Sequence, residues 1–117
     1  TKEEMQEISR VLDMPANEVH AAATFYTMYR VNKPVGKYHI QVCANISCSL
    51  MGADHIIKHM ERVLRIKTGE TTPDSLYTLS TVECLGSCGT APMMQVNDDY
   101  YENLDEKKID ELLGRLK

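Results

Sequence analysis

Tyr38-His39-Ile40-Gln41-Val42-Cys43 alternates large apolar side chains with polar ones at a period of two, which predicts a strand with one face on a core. A second strand is predicted from Leu76 to Glu83, leading into Cys84. Between them Ile56, Ile57, Met60, Val63 and Leu64 recur at helical spacing, and Lys67-Thr68-Gly69 with Pro73-Asp74 carries the chain back. Strand, crossover helix and strand make a right-handed βαβ unit whose strands run parallel, about 4.8 Å apart if they pair. Their C-terminal ends then coincide at one edge of the sheet, and each ends on a cysteine.

The chain has four cysteines, and all of them fall at that edge. Cys43 and Cys48 form C-x4-C, Cys84 and Cys88 form C-x3-C, and 35 residues separate the pairs. Topology alone therefore brings four thiols toward one place. Structural zinc commonly uses tighter C-x2-C knuckles, so these wider spacings favour a bulkier binuclear 2Fe-2S cluster, with zinc and disulfides as the remaining readings. Thioredoxin-type thiol exchange fits less well, because no C-x-x-C is present. A 2Fe-2S cluster needs two thiolates per iron and carries a charge of about −2 when oxidised. Backbone amides must compensate that charge, and Gly86 and Gly89, set among Cys84-Leu85-Gly86-Ser87-Cys88-Gly89, let the chain wrap closely.

Outward from this unit, Met93 to Val96 and Tyr100-Tyr101, joined by Asn97-Asp98-Asp99, read as a hairpin. A last helix follows, capped by Asn103 with Glu106 three residues on; its inner stripe is Ile109, Leu112, Leu113 and Leu116, and its alternating charges form a solvated face. Toward the N-terminus, Thr1 and Glu4 resemble a capping box ahead of Met5, Ile8, Val11 and Leu12 at helical spacing. A second helix is expected from Asn17 to Tyr29, with Val19, Ala22, Ala23, Tyr26 and Tyr29 on one side. Asn32-Lys33-Pro34-Val35-Gly36 then marks a boundary. The expected organisation is an N-terminal helical segment, residues 1–34, that is trimmed and docks on a partner, followed by the cysteine domain, residues 35–117.

Composition excludes several classes. A net charge of −4 without a basic stripe argues against a nucleic-acid surface, and no apolar run approaches the roughly 20 residues of a membrane helix. Four cysteines in 117 residues are few for a disulfide scaffold, so a reducing compartment is expected. No G-x-G-x-x-G follows a strand and no phosphate-binding loop or nucleophile-and-base constellation stands out, so no complete active site is expected in this chain. His55 and His59, four apart on the crossover helix, read as a surface pair, and His20 and His39 as lone polar positions. Met51, Met93 and Met94 read as core filling, whereas Phe25, Tyr26 and Tyr29 serve either packing or a partner surface.

The run from Val35-Gly36-Lys37-Tyr38 to Cys43, then Gly69-Glu70-Thr71-Thr72-Pro73-Asp74, Glu83-Cys84-Leu85-Gly86-Ser87-Cys88 and Ala91-Pro92-Met93, closely resembles the small 2Fe-2S subunit of the NADH-dehydrogenase module of respiratory complex I. Asn97-Asp98-Asp99-Tyr100-Tyr101-Glu102 and Ala23-Thr24-Phe25-Tyr26-Thr27-Met28-Tyr29 extend the likeness over nearly the whole chain. The departures are the filling Ala44-Asn45-Ile46-Ser47 between the first two cysteines and the family's further N-terminal helices.

The resemblance implies an α/β (α+β) fold: a thioredoxin-like four-stranded mixed sheet with flanking helices, preceded by a small helical segment. It implies Cys43, Cys48, Cys84 and Cys88 as ligands of a 2Fe-2S cluster that exchanges one electron with FMN. That flavin and the NADH site belong to a partner flavoprotein subunit, and the cluster lies off the main electron path. The chain would be an electron-transfer subunit of NADH:quinone oxidoreductase, without direct membrane insertion. Its place would be cytoplasmic and peripheral to the inner membrane in bacteria, or on the matrix side of mitochondria. The alternatives are the equivalent subunit of an NAD-linked hydrogenase or formate dehydrogenase and, from another class, a zinc-stabilised interaction module.

Overall fold

A computed structural model describes residues 1–26, 28–31 and 34–116. The chain forms two compact units, residues 1–34 and 35–117.

In the first unit, α1 (Lys2–Val11) opens on the expected capping box: the Glu4 amide donates to the Thr1 hydroxyl, and the Glu4 carboxylate reaches back to the Thr1 backbone nitrogen. α2 spans Ala16–Phe25, with Pro15 at its cap and Val19 buried. It stops short of the expected Tyr29, since Tyr26 is already extended at φ −86° and ψ 121°. The cause is local. Thr24-Phe25-Tyr26 are poor helix formers, and the Thr24 hydroxyl bonds back to the His20 and Ala21 carbonyls. Of the expected helix, Thr27 lies outside the described residues, as do Asn32 and Lys33 of the expected boundary.

The second unit is built on a four-stranded mixed sheet in the order β2-β1-β3-β4. β1 (Tyr38–Cys43) is paired on both sides, parallel to β2 (Tyr77–Val82) and antiparallel to β3 (Met94–Val96). β4 (Asp99–Tyr101) closes the other edge as the second arm of the hairpin, with Asn97 in the left-handed region at its turn. The parallel register sets Tyr38 opposite Tyr77 and Cys43 opposite Val82, so the two strands end level. Where β1 begins, Gly36 lies so close to the main chain of Leu76 that an added Cβ would stand 2.9 Å from its carbonyl carbon.

Two helices come between the parallel strands: a single turn, α3 (Ile46–Leu50), and the crossover helix α4 (Ala53–Leu64). The short one lacks a readable period, and the sequence reading does not anticipate it. α5 (Glu106–Arg115) buries Ile109, Leu112 and Leu113 as its inner stripe predicts. Its cap, however, is Asp105, whose carboxylate accepts from the Lys108 amide at 2.8 Å. Asn103, the expected cap, instead takes φ 49° and offers its carbonyl to the Lys108 ammonium at 2.6 Å.

Strand alternation sorts the buried side chains into two clusters. Ile40 and Val42 join Ile56, Met60, Leu79, Met94 and the α5 stripe in the main core. Cys43 has the opposite parity and packs with Cys48, Ala53, Ala91 and Met93 in a smaller one, flanked by Leu85. Met93 and Met94 are fully buried as expected, whereas Met51 is exposed.

Candidate metal centre

Each cysteine lies in or close to a regular element. Cys43 is the last residue of β1, and its amide donates to the Met93 carbonyl at 3.2 Å. The next amide, Ala44, donates to the Val82 carbonyl at 2.9 Å, which keeps the two parallel strands in step to their very ends. Five residues beyond Cys43, the turn of α3 folds Cys48 back into the small cluster. Cys84 lies two residues past β2, and Cys88 opens a 3-10 turn, Cys88–Thr90. Gly86, with φ 76°, lets its amide turn in to donate to the Cys84 sulfur at 3.3 Å. From β4, the Tyr100 hydroxyl fastens the same loop by donating to the Leu85 carbonyl at 3.0 Å.

All four side chains are free thiols: Cys43 and Cys48 are buried, Cys84 and Cys88 exposed. Cys43 meets both Cys48 and Cys84, while Cys48 also feels Cys88. Among the described residues no three His, Cys, Asp or Glu side chains are arranged to hold a single metal ion. Cys43 is reached by thiols of both cysteine pairs, and a binuclear cluster takes two thiolates per iron.

The surroundings of the two buried thiols act on them in opposite directions. Burial pushes the Cys43 thiol up, but the backbone amides of Asn45 and Leu85 and the thiols of Cys48 and Cys84 outweigh it, so its pKa ends below the ordinary value. Cys48 is pushed up to about 11 by burial and by the Cys43 sulfur beside it, against the opposing pull of the Met93 amide. Asn45, Leu85, Gly86 and Met93 thus aim backbone amides at three of the sulfurs. These are the compensating donors that an anionic cluster requires, and the donor set fits it.

The sequence of residues 1–117 matches the family model of the thioredoxin-like [2Fe-2S] ferredoxins from end to end. The chain belongs to that family. This ferredoxin domain is 48% identical over 109 residues to the second E-type subunit of the NADH-quinone oxidoreductase of Rhizobium meliloti (strain 1021), covering 93% of this chain and 64% of that one. To the E-type subunit of the same oxidoreductase in Rickettsia prowazekii (strain Madrid E) it is 51% identical over 106 residues, covering 91% and 59%. The ferredoxin thus spans about three fifths of the length of these curated relatives. Among solved structures it is similar in fold to an NAD+-reducing [NiFe]-hydrogenase in the air-oxidised state, with a TM-score of 0.82 at 24% identity over 97% of this chain and 20% of that one. It is also similar to a thioredoxin-like [2Fe-2S] ferredoxin from Aquifex aeolicus, with a TM-score of 0.54 at 16% identity over 68% of this chain and 78% of that one. These neighbours share the α+β fold with its four-stranded mixed sheet.

Away from the cysteines, one expectation is corrected. His59 is not on the surface: it is 7% exposed, its Nε2 lies 2.8 Å from Asp110 and its Nδ1 3.2 Å from Glu106, both on α5. His55 is exposed and meets Glu106 at 2.9 Å. The i, i+4 spacing is legible on α4, but the partners that bury His59 belong to another helix. His39 is a polar position on β1, as expected, and its Nε2 lies 2.7 Å from the Ser80 hydroxyl. Phe25, Tyr26 and Tyr29 are all exposed.

Proposed function

We propose that Cys43, Cys48, Cys84 and Cys88 bind a 2Fe-2S cluster and that the chain is the electron-transfer subunit of an NADH:quinone oxidoreductase. The observation that carries the ligand assignment is the convergence of two thiol pairs at the shared end of β1 and β2. The assembly rests on the identity to the E-type subunits over more than nine tenths of the chain. When bound, the cluster supplies a site that takes up and releases one electron.

The chain's own residues set the conditions for that exchange. Cys43 and Cys48 hold the dry side of the site within a small apolar cluster, which keeps water away from two of the four sulfurs. Cys84 and Cys88 lie at the surface and form the side open to a partner. Exposed Ile46, Leu50 and Met51 extend from Cys48 along α3 and offer apolar contact on the same loop. The partner in this reading is a flavoprotein subunit carrying FMN and the NADH site, and exposed Phe25, Tyr26, Met28 and Tyr29 give the N-terminal unit a surface of its own for docking. No described helix is long and apolar enough to cross a membrane.

Anaerobic co-purification tests the assignment. Recovery with a flavoprotein and a quinone-reducing arm is the expected result. Recovery only with hydrogenase or formate-dehydrogenase chains would overturn it in favour of the related NAD-linked enzymes.

A further inference from the structure

We propose that Glu102 is a positioning residue for the second cysteine pair, clamping the turn that presents Cys88 to the cluster. This rests on the ligand assignment above.

Cys84 and Cys88 lie on an exposed loop, and neither belongs to either core cluster, so hydrogen bonds rather than packing must place them. Two of the fasteners come from one short stretch of chain. Tyr100 lies in β4 and Glu102 directly follows its last residue, Tyr101. Tyr100 holds the front of the loop through the Leu85 carbonyl. Glu102 holds the back: its Oε1 accepts from the Thr90 hydroxyl at 2.8 Å and from the Ser87 hydroxyl. Ser87 and Thr90 bracket the turn of Cys88, and their oxygens lie 2.7 Å apart.

Proton counting shows that an acceptor oxygen without a proton of its own can serve both hydroxyls. The two hydroxyls own two protons and the carboxylate has none, so a single acceptor oxygen can draw both protons inward. The main chain repeats the tie, with the Asn103 amide donating to the Thr90 carbonyl at 2.7 Å and the Thr90 amide to the Ser87 carbonyl at 3.2 Å. Both hydroxyl bonds hold the Glu102 carboxyl below its usual range, so the acceptor is ionised at neutral pH.

The test compares variants in the intact protein purified anaerobically. Glu102→Ala removes the acceptor, while Glu102→Gln keeps an oxygen able to accept both protons but removes the charge. Ser87→Ala combined with Thr90→Val removes the donors from the other side. Glu61→Ala is the control, because Glu61 braces a turn remote in sequence from the cysteines through the Thr68 amide at 2.9 Å. The clamp predicts an altered paramagnetic signal on reduction and about 10-fold faster cluster loss to a chelator in both Glu102→Ala and the double variant. Wild-type behaviour is expected in Glu102→Gln, and an unchanged signal in Glu61→Ala despite lower thermal stability. A wild-type signal and loss rate in Glu102→Ala, or the same defect in Glu102→Gln, would overturn the clamp. A wild-type protein without iron and sulfide would overturn the ligand assignment itself.

Discussion

Cys84 shows what a single residue contributes here. It lies on an exposed loop beside Cys43, so in the proposed ligand set its thiolate would tie the end of β2 to the end of β1 through the metal. Cys84→Ala is expected to lose the cluster, seen as a fall in iron per chain and in visible absorption, and to lower stability because metal binding and folding are linked. His59→Ala is expected to leave the visible spectrum unchanged while costing about 1 kcal/mol in urea unfolding, by removing its hydrogen bond to Asp110 on α5. The cysteines are legible in the sequence because strand ends fix where they go. The burial of His59 is not, since a helix's own pattern says nothing of the charges a neighbouring helix brings to it. The amides of Asn45, Leu85, Gly86 and Met93 are equally hidden, because a backbone donor has no letter in the sequence.

Individual elements are readable to the extent that they have a period. The alternation of Tyr38 to Cys43 and the stripe of Ile109, Leu112 and Leu113 predict strand and helix with little error, and Ile40 is fully buried between both kinds of element. Ile40→Ala is accordingly expected to cost about 2–5 kcal/mol, read as a shift of the urea midpoint with unchanged slope. Short or terminal features escape. α3 has five residues, too few for a stripe to show, although it places Cys48. At the start of α5 two cap-competent residues stand two apart, and the choice between Asn103 and Asp105 depends on which one can adopt an extended backbone. Asp105→Ala is expected to cost about 1 kcal/mol, measured the same way, whereas Asn103→Ala should not reproduce a lost cap.

Across the whole molecule, carboxylates that brace turns link stability to acidity. The Thr68 amide holds the Glu61 carboxyl below its ordinary 4.5, and the Thr72 hydroxyl with the Leu76 amide holds Asp74 below 3.8. Each depressed pKa contributes stability that is complete above the ordinary value and lost as pH falls through the lower, folded one. The metal-free chain should therefore lose stability progressively below about pH 4.5, with a shallower decline in Glu61→Gln, as urea unfolding across that range would show. The larger architecture, two units and a sheet whose parallel pair gathers four thiols at one end, follows from the crossover topology and supports one central claim: this chain carries a binuclear iron-sulfur cluster. Iron, zinc and acid-labile sulfide determined on anaerobically purified protein test it most directly. About two irons and two sulfides per chain are predicted, and one zinc without sulfide would contradict it.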